Sequence, residues 1–406
     1  NWPLLGKVYA LSGDGSVPIA ISSTPFTTKA DMAAPAPQLP DARFGQFGAI
    51  FYTRLITART PTNPAYYYMF DVASDTAITN ATQFGRIFEP ITALGVNAFA
   101  TSSSALQEML MVFGAHSMWY VAGDPTTTAP QRASAAIGCK SPKTFVNTPA
   151  GAMFLASDRM VYLLNSDPKF PQKLGIRIYP DLTAIAETQL INCSAVYHDG
   201  FYKLRIPTSG GTVNAVEWWA DLLPLVLGVP DTEVEWYGPM VNFSLLSLLV
   251  QDGPNDALEL LGGDNTAGTV WKLAQAAVYV DGATTITGQA FTPEYTEGDP
   301  LRQKIWGGFT FGFLQNASGS LQVDILTDAG AAVSSKTFTW TQSGSLWDVF
   351  LWDVGLWAGS GFVEQVQNWD TRIVGRSMQE QLTHAAAADY QLRDYGRKYA
   401  VVPRML

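Results

Sequence analysis

Three histidines, His116, His198 and His384, are the side chains best suited to general acid–base chemistry near neutral pH. A nucleophilic hydrolase needs such a base beside a nucleophile and an orienting carboxylate. The sequence contains no Gly-x-Ser-x-Gly motif around a candidate serine. His116 and His198 occupy equivalent turn positions in their predicted hairpins, which is typical of turn residues. We therefore expect no catalytic residue and no enzyme.

Candidate metal ligands are scattered along the sequence. There is no His-x-x-x-His, no Cys-x-x-Cys and no calcium loop of the Asp-x-Asp-x-Asp-Gly type. Asp264 and Asn265 place oxygen atoms within Gly263–Gly268, but an ordinary turn explains them better. Cys139 and Cys193 lie far apart in the sequence, which predicts two buried thiols. We therefore predict no metal site and no cofactor.

A partial motif keeps an alternative function open. Asp264 precedes Gly268-x-x-Trp271, which resembles the tail of the sialidase motif Ser-x-Asp-x-Gly-x-x-Trp, although three residues separate Asp264 from Gly268 where the motif has one. Glycoside hydrolysis requires two facing carboxyl groups, and the sequence leaves such a pair in a propeller funnel open. The alternative is a carbohydrate-binding or glycan-cleaving β-propeller.

The charge balance argues against a protein that binds nucleic acid tightly. The 406 residues carry 25 Lys and Arg against 35 Asp and Glu, a net charge of −10 at pH 7, whereas nucleic-acid binding depends on a basic surface. An acidic wall past which DNA slides is compatible with this charge. The apolar stretches Leu222–Val229 and Leu245–Val250 fall short of the roughly 20 residues that cross a membrane. We expect no membrane span and, without a basic region before an apolar run, no signal peptide.

The elements that carry these residues are predicted to be short β-strands. Only 15% of residues are charged and 12% are aromatic, a composition typical of an all-β protein. Apolar runs flank tight turns spaced mostly by roughly 40–50 residues, the length of a four-stranded propeller blade. The turns are Gly13–Gly15, Pro61–Pro64, Gly114–His116, Ser157–Arg159, His198–Gly200 and Gly262–Gly268. We predict an all-β fold with a six- or seven-bladed β-propeller over residues 1–290; a pair of β-sandwiches and a β-helix are the alternatives.

A different pattern begins after residue 290 and predicts a second, smaller β domain over residues 291–406. Gly307–Leu314 and Leu321–Leu326 alternate like the two strands of one hairpin, and Ser335–Trp340 follows. Segments 361–375, 377–384 and 390–402 are further candidate strands. The alanine-rich segment His384–Ala388 is also compatible with a helix.

Three tryptophans recur every five residues in this second domain: Trp347, Trp352 and Trp357. Neither a helical stripe nor strict alternation gives that period, which indicates a looped or bulged segment. Because tryptophan is frequent among interface hot spots, these side chains are candidate anchors for subunit assembly. Packing in the domain core is the competing interpretation.

Several motifs follow one another in an ordered series. Leu110–Asp124 contains an apolar run, a turn, Ser117-x-Trp119 and a final Gly-Asp. The motifs after it are Gly138-Cys139-Lys140-Ser141-Pro142, Gly151–Asp158, Tyr197–Tyr202, Trp218–Leu222 and Gly262–Asn265. In order and spacing they resemble the blades of the tail hub or nozzle proteins of short-tailed, podovirus-type phages. Lys304 and the tryptophan-rich run Trp347–Trp357 resemble the second domain of that family.

This resemblance implies a structural part of a virion tail. Proteins of that family form a closed ring, commonly of six copies, below the portal and adaptor, and carry fibres or spikes. Their lumen conducts genomic DNA at ejection without specific binding. The expected partners are further copies of the chain, the adaptor and portal-proximal tail proteins, and tail fibres or spikes. A closed ring of this kind requires a heterologous interface between copies.

Overall fold

The computed structural model describes residues 7–10, 19–22, 29–31, 36–100, 106–165, 167–208, 210–228, 234–241, 245–252, 258–264, 269–273, 280–281, 284–285, 287–315, 319–328, 330, 332–340, 363–384 and 390–401. The chain divides into two compact units, Asn1–Ala274 and Gln275–Leu406. Strand Gly288–Phe291, which includes the expected boundary at residue 290, pairs within the second unit.

Unit 1 is built from successive antiparallel sheets, six among its described residues, in which each strand pairs with the next strand of the same sheet. They are sheet 1 (β1 Lys7–Ala10, β2 Ile19–Ser22, β3 Lys29–Asp31), sheet 2 (β5 Phe47–Phe51, β6 Arg54–Ala58, β7 Tyr66–Met69, β9 Phe84–Arg86), sheet 3 (β10 Ile91–Ala100, β11 Leu106–Gly114, β12 Met118–Ala122, β13 Gln131–Ser134), sheet 4 (β14 Val146–Thr148, β15 Gly151–Leu155, β16 Val161–Leu164, β17 Gln172–Lys173), sheet 5 (β18 Ser194–His198, β19 Phe201–Pro207, β20 Asn214–Asp221, β21 Trp236–Val241) and sheet 6 (β22 Leu245–Asp252, β23 Leu258–Asp264, β24 Val270–Leu273).

The connections between these sheets, and some connections within them, contain short elements. They are the parallel pair β4 (Ala36–Pro37) and β8 (Ala77–Ile78), the 3₁₀ helices Pro40–Phe44, Pro142–Thr144 and Glu187–Asn192, and the α-helices α1 (Tyr179–Thr183) and α2 (Leu223–Val226).

Sheets 2 to 5 pack face to face in succession through apolar side chains. On β11, Leu110 and Val112 pack against sheet 2, whereas Met111 and Phe113 pack against sheet 4. Because both faces of the strand are covered, it is a continuous apolar run without alternation. Sheets 4 and 5 share a core in the same manner, and the first strand of each sheet from 2 to 6 lies beside that of the next. These features are those of β-propeller blades, so the predicted all-β, propeller-type fold is confirmed.

One turn of unit 1 is absent from the predicted series. Within the apolar run Ala49–Leu55, Tyr52 and Thr53 form a two-residue turn between β5 and β6. Both residues have positive φ, 50° and 54°, as a type I′ hairpin turn requires. The sequence offers no glycine or asparagine at this turn, which is why the pattern did not reveal it.

In the described part of unit 2, two sheets enclose one apolar core. Sheet 7 has the strand order β27 (Gly288–Phe291), β32 (Met378–His384), β29 (Gly319–Thr327), β30 (Ala332–Trp340), and sheet 8 has the order β31 (Val363–Gly375), β28 (Lys304–Gln315), β33 (Tyr390–Val401). A short pair, β25 (Val280–Asp281) and β26 (Thr284–Thr285), precedes them. The core takes Trp306, Phe309 and Phe311 from sheet 8 and Leu321 and Val323 from sheet 7, among others. Residues 385–389, which include most of the segment with the helix alternative, lie outside the described residues.

The predicted hairpin between Gly307–Leu314 and Leu321–Leu326 is wrong. These runs belong to β28 and β29, which lie in opposite sheets. β28 pairs with β31 and β33, and β29 pairs with β30 and β32. Two strands that each bury one apolar face produce the same alternation whether they lie side by side or face each other across a core.

Candidate functional site

Polar contacts connect sheets 3, 4 and 5 through the segment Ile137–Phe145, which we call the junction segment. Gly138 lies against the turn that ends β11: a Cβ there would lie 2.4 Å from the carbonyl carbon and oxygen of Ala115. The Cys139 amide donates to the Gly114 carbonyl at 3.1 Å, and the Ser157 amide donates to the Gly138 carbonyl at 2.9 Å. The segment therefore joins the hairpin turns of sheets 3 and 4.

The 3₁₀ turn of the junction segment reaches sheets 4 and 5. The Thr144 hydroxyl accepts the Leu155 amide at 2.9 Å and donates to the Ser141 carbonyl at 2.7 Å. The Thr144 carbonyl accepts the Tyr202 hydroxyl of β19 at 3.0 Å. Tyr202 is fully buried, and this burial raises its pKa well above the ordinary value. The phenol is therefore a fixed donor at this contact.

An ion pair adds a further connection from the same segment. Lys140 binds Glu187 in the 3₁₀ helix that precedes sheet 5. The ammonium group holds the pKa of the Glu187 carboxyl below its ordinary value. Because Glu187 is exposed, the pair is screened by solvent and mainly fixes the position of that helix.

Both cysteines of the chain are buried and free, as predicted. Burial raises the pKa of Cys139 and of Cys193 to about 12. The Cys139 thiol lies 3.5 Å from the Leu155 carbonyl, as a weak donor. Because the thiolate is the reactive form of cysteine, neither thiol is suited to nucleophilic chemistry in the folded chain.

A second set of contacts joins sheets 2 and 3. Glu89, between β9 and β10, accepts the Ser117 hydroxyl and, at 3.3 Å, the His116 amide. The Ser117 oxygen in turn accepts the Trp119 indole N–H at 2.8 Å. The ring of Phe88, which is 85% exposed, packs against Trp119 with 5.4 Å between centroids. The Ser-x-Trp motif thus fastens one sheet to the connection that precedes it.

An asparagine joins sheets 3 and 4 through their inner strands. Asn97 of β10 is fully buried. Its carbonyl oxygen accepts the Ala152 amide at 3.1 Å, and its amide nitrogen donates to the Asn165 carbonyl at 3.0 Å. Both partners are backbone groups at the two ends of the β15–β16 hairpin, so this side chain sets the position of sheet 4 relative to sheet 3.

Charged side chains are buried on one face of sheet 5. Arg205 and Glu217 form an ion pair, and the Trp219 indole N–H also donates to Glu217. The Lys203 ammonium lies 4.0 Å from the centroid of the Trp219 ring. Burial lowers the pKa of Lys203. The Glu217 carboxylate is 7% exposed and already accepts two donors, so the arrangement stabilises a sheet face and offers no open acid–base pair.

The histidines lie in unlike positions. His116 lies inside the turn Gly114–Ser117, whereas His198 is the last residue of β18; the expected equivalence is wrong, because the two hairpins differ in turn length. His198 Nδ1 is buried without a hydrogen-bond partner in the described part of the chain. His384 ends β32 of unit 2.

The remaining candidates from the sequence are Asp264 and the three tryptophans of the second domain. Asp264 ends β23, where its amide donates to the Thr269 carbonyl at 2.8 Å. Across the described ranges, no group of three or more His, Cys, Asp or Glu residues is placed to hold a metal ion. No described helix is long and apolar enough to cross a membrane. Trp347, Trp352 and Trp357 lie in residues 341–362, outside the described residues.

Comparison with known proteins supports no assignment of function. No protein-family description matches the chain, and no curated protein matches it. Among solved structures, an exo-β-1,3-galactanase from Phanerochaete chrysosporium is 11% identical with a TM-score of 0.29, over 97% of this chain and 100% of that one. A family 43 arabinoxylan arabinofuranohydrolase from Bacillus subtilis is 8% identical with a TM-score of 0.23, over 98% and 92%. An exo-inulinase from Aspergillus awamori is 10% identical with a TM-score of 0.22, over 98% and 77%.

Proposed function

We propose that this chain is a structural subunit of a phage tail, a hub or nozzle protein whose copies form a ring, a conduit for DNA ejection and a platform for fibres. One observation carries the proposal. Residues of two of the motifs that carry the sequence resemblance, Ser117 and Trp119 in one and Gly138 and Cys139 in the other, fasten sheets to one another. A motif used for mechanical connection favours a scaffold over an active site.

The surface of unit 1 is compatible with subunit contacts. Tyr237, Met240 and Val241 lie on β21, the edge strand of sheet 5, and are 44%, 38% and 54% exposed. Exposed apolar side chains grouped on one strand are typical of surfaces that contact other proteins. The tryptophans Trp347, Trp352 and Trp357 remain the proposed assembly anchors from the sequence.

The assembly state tests the proposal directly. We expect native mass spectrometry and negative-stain imaging of the full chain to show a closed ring, with six copies as the first expectation. Trp352→Ala should weaken the ring while the monomer stays folded, which thermal unfolding of the variant would verify; an unfolded monomer would instead support packing of Trp352 in the domain core. A monodisperse monomer at high concentration would contradict the proposal.

The net charge of −10 supports passage of DNA without adhesion, because like charges repel. The isolated protein should give no gel shift with duplex DNA at about 150 mM salt, where basic proteins still bind non-specifically. Tight, salt-sensitive binding would contradict the conduit role. Turnover on a panel of glycans, lost on replacing one carboxylate, would favour the glycan-cleaving alternative.

A further inference from the structure

The outer face of sheet 7 in unit 2 presents a regular array of polar side chains, which we call the polar face. The strand register places eight residues in two rows, one from each of the four strands in each row. The first row is Gln289, Thr383, Gln322 and Thr337, and the second row is Phe291, Gln381, Asp324 and Ser335.

This face points away from the core of unit 2. On β29, the alternate residues Leu321, Val323 and Ile325 are fully buried, so Gln322 and Asp324 project to the opposite side. The same alternation holds on β32, where Met378, Glu380 and Leu382 are buried. The five exposed members of the polar face are Gln289, Phe291, Gln322, Ser335 and Thr337.

The chemistry of the face suits an uncharged ligand that is rich in hydroxyl groups. Its eight side chains comprise three carboxamides, three hydroxyls, one carboxylate and one phenyl ring, with no cation. Each carboxamide both donates and accepts hydrogen bonds, and so does each hydroxyl, which matches the donor and acceptor pattern of vicinal diols. The lack of a cation on the face disfavours phosphate, nucleic acid and acidic polymers.

The array is partly preorganised. The Gln322 amide nitrogen donates to both Asp324 oxygens, at 2.9 and 3.0 Å, and lies 3.4 Å from the Ser335 hydroxyl. These contacts fix the carboxamide, so less side-chain entropy is lost when a ligand binds. Phe291 is 55% exposed at the edge strand and offers an apolar ring surface to the C–H face of a sugar ring.

We propose that the polar face binds a neutral polysaccharide along its rows. Adjacent strands are about 4.8 Å apart, so a row across four strands spans about 14 Å, which is longer than a single sugar ring. The face therefore recognises several consecutive sugar residues of a chain. This binding is separate from ring assembly, and either can fail without the other.

Affinity electrophoresis of the full chain tests the proposal. Native gels would contain dextran, galactomannan or mixed-linkage β-glucan, each soluble and uncharged. We expect at least one polymer to retard the chain. The double variant Phe291→Ala/Gln381→Ala should raise the apparent Kd by about tenfold or more, since it removes one ring contact and one carboxamide.

A matched control exists in unit 1. Phe170→Ala/Gln172→Ala removes the same two side-chain types from an exposed site, where Phe170 is 77% exposed, and should leave retardation unchanged. Thermal unfolding would verify that both variants fold. No retardation by any of the three polymers, or equal retardation of all variants, would overturn the proposal. A change in the native mass of the Phe291→Ala/Gln381→Ala variant without a change in retardation would also overturn it and identify the face as a contact between copies.

Discussion

Replacing Gly138 by alanine should destabilise unit 1 strongly, although it adds only one methyl group. The new Cβ would lie 2.4 Å from Ala115 C and O and from Gly114 O. These are backbone atoms of a hairpin turn and cannot rotate away, so the junction segment or the turn must shift. The shift would strain the two backbone hydrogen bonds that Gly138 and Cys139 make with the turns of sheets 4 and 3, at 2.9 and 3.1 Å.

The expected loss follows from these contacts. Overpacking a rigid site costs about 1–3 kcal/mol, and each weakened hydrogen bond costs about 1 kcal/mol. A loss of about 3 kcal/mol is therefore reasonable for Gly138→Ala. With a urea dependence of about 3 kcal/mol per molar, the upper range for small domains, the unfolding midpoint should fall by about 1 M.

Thiol labelling measures this loss in unit 1 alone. Both cysteines lie in unit 1 and are buried, so a thiol reagent applied across a urea series reports the unfolding of that unit. Gly200→Ala is the control: Gly200 has φ +82° and nothing within 4 Å of an added Cβ, so only the left-handed backbone penalty of about 1 kcal/mol applies. If Gly138→Ala shifts the midpoint no further than Gly200→Ala, the close contact at the junction is not as described.

Three further results are expected. Thr53→Gly should stabilise unit 1 by about 1 kcal/mol in the same labelling assay, because glycine adopts the positive φ of 54° without the penalty that threonine carries; destabilisation would contradict the turn. Glu217→Gln should lower the free energy of unfolding by about 3 kcal/mol, because it leaves the Arg205 charge buried and unpaired. The double variant Glu217→Gln/Arg205→Met should lose less stability than the two single variants combined. Strict additivity in this double-mutant cycle would argue against the ion pair. Burial raises the pKa of Cys139 and Cys193 from 9.0 to about 12, so their contribution to the free energy of unfolding is complete below pH 9 and is lost as the pH rises towards 12. Replacing both by alanine should therefore reduce the fall in the free energy of unfolding between pH 8, 9 and 10, measured by urea unfolding. An unchanged fall would contradict their burial.

The sequence pattern located one hairpin in each of sheets 2 to 6, whereas the predicted turn Gly13–Gly15 lies outside the described residues. Continuous apolar runs such as Met109–Phe113 and Ala152–Leu155 became strands buried on both faces. The turn at Tyr52–Thr53 was not predicted, because neither residue type favours positive φ. There the pairing of β5 with β6 imposes the backbone conformation, and local preference does not reveal it.

The contacts of the junction segment could not be deduced from residue types. Gly138 and Cys139 stood out in the sequence, but their partners Gly114 and Ser157 are distant along the chain or unremarkable in type. The role of Glu89 had no sequence signal either, since a lone carboxylate before a strand is common. Such contacts arise only when separate sheets are brought together.

Local chemistry along the chain determined the all-β class, the positions of most turns and the burial of the two thiols, since strand propensity, turn residues and apolar runs act over a few residues. Tertiary structure alone decided which strands share a sheet. It placed β28 and β29 on opposite sides of one core, although their alternation fits a hairpin equally well, and it aligned Gln322 and Gln381 on one outer face. Pairing and packing depend on partners far away in the sequence, and a period of two residues fixes a strand's two faces but not its neighbours.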